Sequence, residues 1–424
     1  MLVKEAREYI ESGKLDGELI RLYGSAALRQ RERYLSLLSD FEKSFGTERD
    51  VSIFSAPGRT EIGGNHTDHN HGRVLAGSVD LDVIAVASKS SDQTAHVYSR
   101  GFAPDDVDLN DQTVYDKERG HSASLLRGIA RRFDELGYRR GGYAAVTVSN
   151  VPRGSGVSSS AAFEVLLSSI QNVFFNDGAI PPLEIAKVSQ FAEREFFGKP
   201  CGLMDQAACA VGGICQFDFA RETDVQVTPV PFRFDRSGYK LCLVSVGGDH
   251  ADITDAYAAI PARMKKVAAF FGKEFLNEVS IEEVTASIGP LRAAAGDDAV
   301  LAALHFLRET ERVPKEREAL LNGDFPAFLK LVTASGHSSF EYLQNVLVPH
   351  AGACQGAAIA LHYASEILGD RGAWRIHGGG FGGTTQNFVP DDLVPLFCET
   401  MDGIFGKGAC HVLTIRPVGP VKVL

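Results

Sequence analysis

The sequence predicts an α+β fold in two domains or two lobes. Three observations carry that prediction. A chain of 424 residues is too long for one ordinary hydrophobic core. Its hydrophobic content of 44% and charged content of 23% are those of a packed globular protein. Its strand-like and helix-like runs are segregated, without the regular alternation of βαβ winding, so mixed or antiparallel sheets packed with helices are expected.

Residues 1–46 read as helical, with Ile10, Leu15, Leu19, Ile20, Leu35, Leu38 and Phe41 spaced among charges. From 51 to 100 the chain reads as β-rich. A strand-like run covers 51–56, and Val79, Leu81, Val83, Ile84 and Val86 mark another. Between them, residues 57–72 place an arginine, two acids, three histidines and two asparagines among glycines. So polar a segment reads as a loop held between two core strands and facing a ligand. Residues 122–137 read as a helix and 143–150 as a strand. A Gly/Ser turn follows, then a long helix over 159–175. Residues 177–182, with turn residues and paired prolines, are the best linker candidate. Beyond it, helices near 183–197, 253–271 and 297–343 mix with strands at 214–219 and 240–246. A glycine cluster at 378–383, a strand, a helix near 391–405 and a last strand at 409–415 complete the chain. The expected organisation is a helical extension over 1–28, an N-terminal lobe over 29–180 that segment 410–424 could complete, and a C-terminal lobe over 181–409.

A formal net charge of -11 argues against a general nucleic-acid binder, whose footprint is basic. No run of about 18 apolar residues suggests a membrane span. The charged N-terminus lacks the apolar centre of a signal peptide. Seven scattered cysteines without a CxxC pair read as reduced thiols in a cytoplasmic protein.

Three segments carry chemistry. In 151–164 a strand ends, glycines allow tight turns, and serines open a helix. Free N–H groups and the helix dipole favour a phosphate there, though an ordinary serine-capped helix is the plain alternative. The spacing is neither a Walker A loop nor GxGxxG. Glycines 378–383 leave bare backbone that suits either a tight hairpin or a second wall of an anion site. Asp205 is one acid in an apolar run, so it caps a helix, is paired, or acts. Glu193, near a helix end, is either a solvated charge or part of that site. His66, Asp68, His69 and His71 match no common zinc spacing. Hydrogen bonding to a polyhydroxylated ligand fits them better, with Asp68 accepting from vicinal hydroxyls and His66 adding a contact.

Together these segments resemble the GHMP small-molecule kinases, and within them the galactokinase branch, from about residue 30 to the C-terminus. Residues 57–68 resemble the galactokinase signature, 154–162 the phosphate loop, 201–206 the segment of the catalytic aspartate, and 378–383 the third motif. The resemblance implies a two-lobed fold with the active site between the lobes. It implies an ATP-dependent sugar 1-kinase, with Mg²⁺ as cofactor and galactose as the first expectation. Asp205 would be the base and Arg59 its partner. Asn65, His66, Asp68, Gly202 and Tyr257 would hold the sugar. Gly154, Ser155, Gly156, Val157, Ser158, Ser159, Ser160, Gly379 and Gly380 would hold ATP. Ser160 and Glu193 would be associated with Mg²⁺. The expected partners are the small sugar and ATP, with no nucleic acid or membrane, and the expected state is a monomer.

The pattern departs from the branch at three places. Asn65 stands where galactokinases usually carry glutamate, and that glutamate contacts the sugar's 6-hydroxyl. His69 stands where they carry tyrosine, and residues 60–63 differ from the usual apolar spacing. Asn65 motivates an alternative substrate, galacturonate or N-acetylgalactosamine. A non-catalytic sugar and ATP sensor is the alternative from another class, although its serine loop would be expected to be damaged and 158–162 is intact.

Overall fold

The computed structural model describes residues 1–152, 156–221, 224–247, 254–348 and 355–424. Among these, twelve strands form two sheets. They are β1 (Ser52–Gly63), β2 (Arg73–Lys89), β3 (Thr94–Ser99), β4 (Asp105–Asp108), β5 (Tyr143–Ser149), β6 (Ile214–Asp218), β7 (Gln226–Val230), β8 (Tyr239–Gly247), β9 (Ala373–Ile376), β10 (Gly383–Pro390), β11 (Cys410–Leu413) and β12 (Val421–Lys422). The larger sheet runs β12-β1-β2-β5-β3-β4, with β6 on the early half of β2 and β7 beyond it. Only β3 and β5 pair in parallel. The smaller sheet runs β11-β8-β10-β9 and is antiparallel throughout.

Each face of the larger sheet has its own cover. Helices Val3–Glu11, Asp16–Tyr23 and Ala27–Phe45 bury Ile10, Leu19, Tyr34, Leu37, Leu38 and Phe41 against Ile53, Ile84, Val86 and Val146. At about 1.5–3 kcal/mol per fully buried large side chain, that face fastens the N-terminal helices to the sheet. Buried Asp82 on β2 adds a polar anchor. It accepts from Tyr23, Ser55, Arg33 and Arg416, and so joins the N-terminal helices, β1 and the C-terminal segment. Helices Val3–Glu11 and Asp16–Tyr23 thus form an outer layer on the larger sheet.

Three expectations need correction. The segment 57–63 is strand, because β1 continues to Gly63 and all twelve of its residues are buried. Thr60 and Glu61 are satisfied by Arg375, His377 and Gln386 from the smaller sheet and the turn after β9, and Arg59 by Asp205, so a polar run survives inside the molecule. The turn at 177–182 does not separate lobes. Helices Ser159–Phe175 and Pro182–Phe191 share one core, and β6 and β7 join the larger sheet. We therefore draw the lobe boundary after Val230. Segment 410–424 is divided as well: β12 pairs with β1, whereas β11 pairs with β8 in the smaller sheet. No helix among the described residues is long and apolar enough to cross a membrane.

Candidate active site

Arg59 lies on β1 just past a register shift between Pro57 and Arg59. Its side chain is buried, and its Nε and Nη2 donate to Asp205 Oδ1 at 2.8 and 2.7 Å. Its Nη1 donates to the Gly156 carbonyl, and its backbone N–H donates to the Val157 carbonyl at 3.2 Å. One side chain thus fixes the carboxylate and the end of the phosphate-type loop together.

Asp205 occupies the first turn of helix Met204–Val211, whose N-cap is Leu203, so Asp205 is paired and does not cap. Ser158 donates to its other oxygen, Oδ2, at 2.6 Å. Ser158 is the N-cap residue of helix Ser159–Phe175, but its φ of 56° is left-handed and its hydroxyl leaves the helix end uncapped. Burial would raise the Asp205 pKa. The Arg59 guanidinium and the Ser158 hydroxyl outweigh it and hold the carboxyl below the ordinary aspartate range. With 32% of its side chain exposed, Asp205 is an ionised carboxylate open to the cleft on one side.

Beside this pair is a second acidic group. Ser160 donates to Glu193 Oε1 at 3.3 Å, and Lys199 Nζ lies 3.0 Å from the same oxygen. The Gln206 amide donates to Glu193 Oε2 at 2.7 Å and to Glu164 Oε2 at 3.0 Å. Glu193 is buried, which rules out a solvated helix charge. Burial and the neighbouring Glu193 push Glu164 well above the carboxylate range. Its Oε1 is buried without a partner. The Ser160 hydroxyl and Glu193 carboxylate, 3.3 Å apart, are hard oxygen donors of the kind that suits a small divalent cation such as Mg²⁺.

The opposite wall comes from the signature and the third glycine turn. His66 has a left-handed φ of 57° and donates from Nε2 to the Gly379 carbonyl at 2.8 Å. Burial pulls its pKa down to about 3, so the ring is neutral. The Tyr257 ring, on helix Thr254–Phe270, lies 5.2 Å from the His66 ring at a tilt of 53°, and its hydroxyl meets His69 Nε2 at 3.2 Å. A Cβ on Gly379 would strike the Tyr257 ring at 2.5 Å, and one on Gly202 would strike the Asp68 carboxylate. Both glycines are thus fixed by close approach. Gly380 backs onto Asn345, and Ser159 opens its helix. Gly154 and Ser155 lie outside the described residues.

Asn65 is the site residue whose expected role the structure contradicts. It is fully buried, and its amide is used up inside the protein. Nδ2 donates to Glu61 Oε1 at 2.9 Å and to the Gly378 carbonyl at 2.7 Å. Oδ1 accepts from Ser339 at 3.2 Å and Asn345 at 2.9 Å. No amide hydrogen is left for a sugar. The buried carboxylate here is Glu61, on the same face of β1 as Arg59 and ion-paired with fully buried Arg375.

Other residues hold the signature in place and were missed in the sequence. Glu309 accepts from the backbone N–H groups of Gly64 and Asn65 at 3.1 and 3.4 Å, and His305 Nε2 donates to the Asn65 carbonyl at 2.9 Å. Both belong to helix Asp297–Leu321, one turn apart on its buried face. His377 accepts from the Glu61 N–H at 3.2 Å and contacts Thr60 at 3.1 Å, both through Nε2. Its Nδ1 is buried beside Gly156, where a Cβ would come within 2.9 Å. The only sequence signal was the pairing of His305 and Glu309 with the apolar face of Ala302, Ala303 and Phe306.

Glu316, on the same helix, predicts a pH dependence. Both its oxygens are buried without partners against β1, and burial raises its pKa to about 7, only partly offset by Arg375 and Arg312. A folded pKa above the unfolded value gives stability that is present below about pH 4.5 and lost as pH rises to about 7, roughly 1.4 kcal/mol per unit. Glu316→Gln should therefore gain on the parent protein across that window and keep the gain above it. Urea melts at pH 5 and pH 8 check this, and an equal difference at both would contradict it.

Two family models match the chain: the galactokinase galactose-binding signature over residues 39–89 and the GHMP kinase N-terminal domain over 124–213. The chain is 30% identical over 365 residues to a galactokinase of Actinobacillus pleuropneumoniae, covering 84% of this chain and 89% of that one. It is 32% identical over 328 residues to a galactokinase of Thermotoga petrophila, covering 77% and 86%. Among solved structures, the Lactococcus lactis galactokinase complexed with galactose superposes with a TM-score of 0.79 at 23% identity, covering 92% of this chain and all of that one. A mevalonate kinase of Methanococcus jannaschii superposes at 0.61 and 14% identity, covering 86% and 98%.

Proposed function

Because the chain belongs to the galactokinase family of GHMP kinases, we propose that it transfers the γ-phosphoryl group of ATP to the anomeric hydroxyl of galactose, giving galactose 1-phosphate and ADP. The observation that carries this reading is the Asp205 carboxylate, gripped by Arg59 and Ser158 on one side and open on the other.

In this reading Asp205 takes the proton from the anomeric hydroxyl as its oxygen attacks phosphorus. The depressed pKa keeps the base ionised across the neutral range. It also makes the base weak, which suits a loose phosphoryl-transfer transition state in which the proton leaves late. Arg59 keeps Asp205 ionised and adds positive charge beside the transferring group. Gly156, Val157, Ser158 and Ser159, with Gly154, Ser155 and Ser160, would cradle the phosphates, and Gly379 and Gly380 would close the far side. His66, Asp68, Gly202 and Tyr257 would seat the sugar. Ser160 and Glu193 would hold Mg²⁺, which when bound supplies charge neutralisation for the ATP phosphates. The proposal extends to a monomer in the cytoplasm, in keeping with the six described cysteines all being free.

Glu193→Gln should chiefly raise the Mg²⁺ concentration needed for half-maximal turnover, by ~10-fold or more if a ligand is lost. A Mg²⁺ titration of initial rates measures it, and an unchanged midpoint would remove Glu193 from the metal site.

The internal role of Asn65 withdraws the motive for galacturonate, since no carboxylate has been vacated for a C6 acid. An ADP-release assay across galactose, galacturonate and N-acetylgalactosamine tests the choice. Galactose should be turned over fastest. Equal or faster use of galacturonate would overturn it, and no ADP with any sugar would favour the sensor reading.

A further inference from the structure

Away from the cleft, three thiols converge. Cys242 on β8 and Cys410 on β11 lie on one face of the smaller sheet, because Val412 is the residue opposite Cys242 and Cys410 is its diagonal neighbour. Helix Val394–Phe405 crosses that face and brings down Cys398. The three Sγ atoms all lie within 4.8 Å of one another, with Cys398 and Cys410 at 3.0 Å. The surroundings are otherwise hydrocarbon, including Val244, Leu368, Val389, Phe397 and Met401.

The approach of Cys410 to Cys398 is held from outside the cluster. Asp402, one helical turn after Cys398, accepts from the backbone N–H groups of Gly408 and Cys410 at 2.9 Å each. That carboxylate pins the start of β11 to the helix and keeps the two sulfurs together. Cys242 is fully buried, whereas Cys398 and Cys410 are half-buried, so the cluster has a closed floor and an open side.

Isolated buried cysteines often serve as small apolar fillers. Filling space does not require three sulfurs from three separate elements to meet at a point. A disulfide between Cys398 and Cys410 would leave the buried third thiol without a role. A thiophilic d¹⁰ ion uses all three. With metal–sulfur bonds of about 2.3 Å, thiolates around one ion sit roughly 4 Å apart; all three sulfurs lie within 4.8 Å, and the Cys398–Cys410 pair, at 3.0 Å, has to open by about 1 Å, within reach of a side-chain adjustment.

We propose that Cys242, Cys398 and Cys410 form a three-thiolate site for a thiophilic d¹⁰ cation, Zn²⁺ or Cu⁺, that clamps helix Val394–Phe405 onto β8 and β11. Binding replaces the three thiol protons, which pass to solvent, and the open side leaves room for a water on zinc. The site uses no residue of the cleft, so its role is to brace the smaller sheet.

The test uses the full chain kept under reductant. Titration with Cd²⁺ should produce a thiolate-to-metal charge-transfer absorption that saturates at one equivalent. Zn²⁺ and Cu⁺, added in separate arms, should displace it, and the tighter competitor identifies the ion. Cys398→Ser and Cys410→Ser each remove a half-buried ligand. Each should weaken Cd²⁺ binding at least tenfold and abolish the Zn²⁺- or Cu⁺-dependent rise in Tm, while galactose turnover stays at the parent rate. Absorption that is absent in the reduced parent, or unchanged in both variants, would overturn the proposal. So would an intact mass two hydrogens light, mapped to a Cys398–Cys410 disulfide, in protein that takes up no metal after reduction.

Discussion

Asp205→Asn should keep galactose and ATP affinity within a few-fold and lower kcat by at least ~10²–10⁴-fold, the usual contribution of a general base. The substitution is nearly isosteric. The amide oxygen can take the Oδ1 place and keep accepting from Arg59, while the amide nitrogen at the Oδ2 place donates to the Ser158 hydroxyl, and Arg59 is held independently through the Gly156 and Val157 carbonyls. What disappears is the proton acceptor. Binding by calorimetry and turnover by ADP release separate the two effects. Near-parental kcat would mean that another group takes the proton. Equal losses in sugar affinity and kcat would mean that the carboxylate serves to position the sugar.

Arg59→Met should be nearly as damaging by a different route. The guanidinium contacts Asp205 Oδ1 through two nitrogens and the phosphate-type loop through the third. Methionine keeps much of the volume and none of these bonds. Without the cation, burial dominates at Asp205, so its pKa should rise out of the depressed range. The acid limb of the pH–rate profile should then move upward. The loss in kcat should reach ~10²–10³-fold, the scale of removing one transition-state donor. The stability loss should be smaller than for a dry ion pair, because the surviving carboxylate is a third exposed and can take up water. A kcat loss without any shift in the acid limb would contradict the coupling of Arg59 to Asp205.

The residues proposed for the site are legible in the sequence where chemistry is local. Asp205, Arg59, Ser158, Ser160, Glu193, His66, Asp68, Gly202 and Tyr257 all come from recognisable short segments, and the fold brings them to one cleft. The residues that hold those segments lie far away in the chain and read as ordinary. Glu309 sits in a helix that looks solvated, and its burial depends on a partner some 245 positions distant. Arg375 and His377 lie beside a glycine motif, yet they reach back 314 and 316 positions to Glu61. Periodicity marks which helix face is apolar, but not which polar side chain on that face finds a partner.

Asn65 shows the limit most clearly. Its place in the signature suggested a substrate contact. Position alone could not reveal that Glu61, four residues earlier, carries the carboxylate and takes the asparagine as its hydrogen-bond donor. The same oversight made 57–63 look like a loop. A polar strand is improbable in isolation, and it becomes stable here only because the smaller sheet supplies Arg375, His377 and Gln386 to its polar groups.

In the proposed reaction the open Asp205 carboxylate activates the anomeric hydroxyl of galactose toward ATP. The most direct measurement is NMR of the product formed from galactose, ATP and Mg²⁺. A single sugar phosphate is expected, its anomeric proton coupled to phosphorus, formed at the rate of ADP release and at least ~10²-fold more slowly with Asp205→Asn. Phosphate on any other hydroxyl, or ADP release without a sugar phosphate, would contradict it.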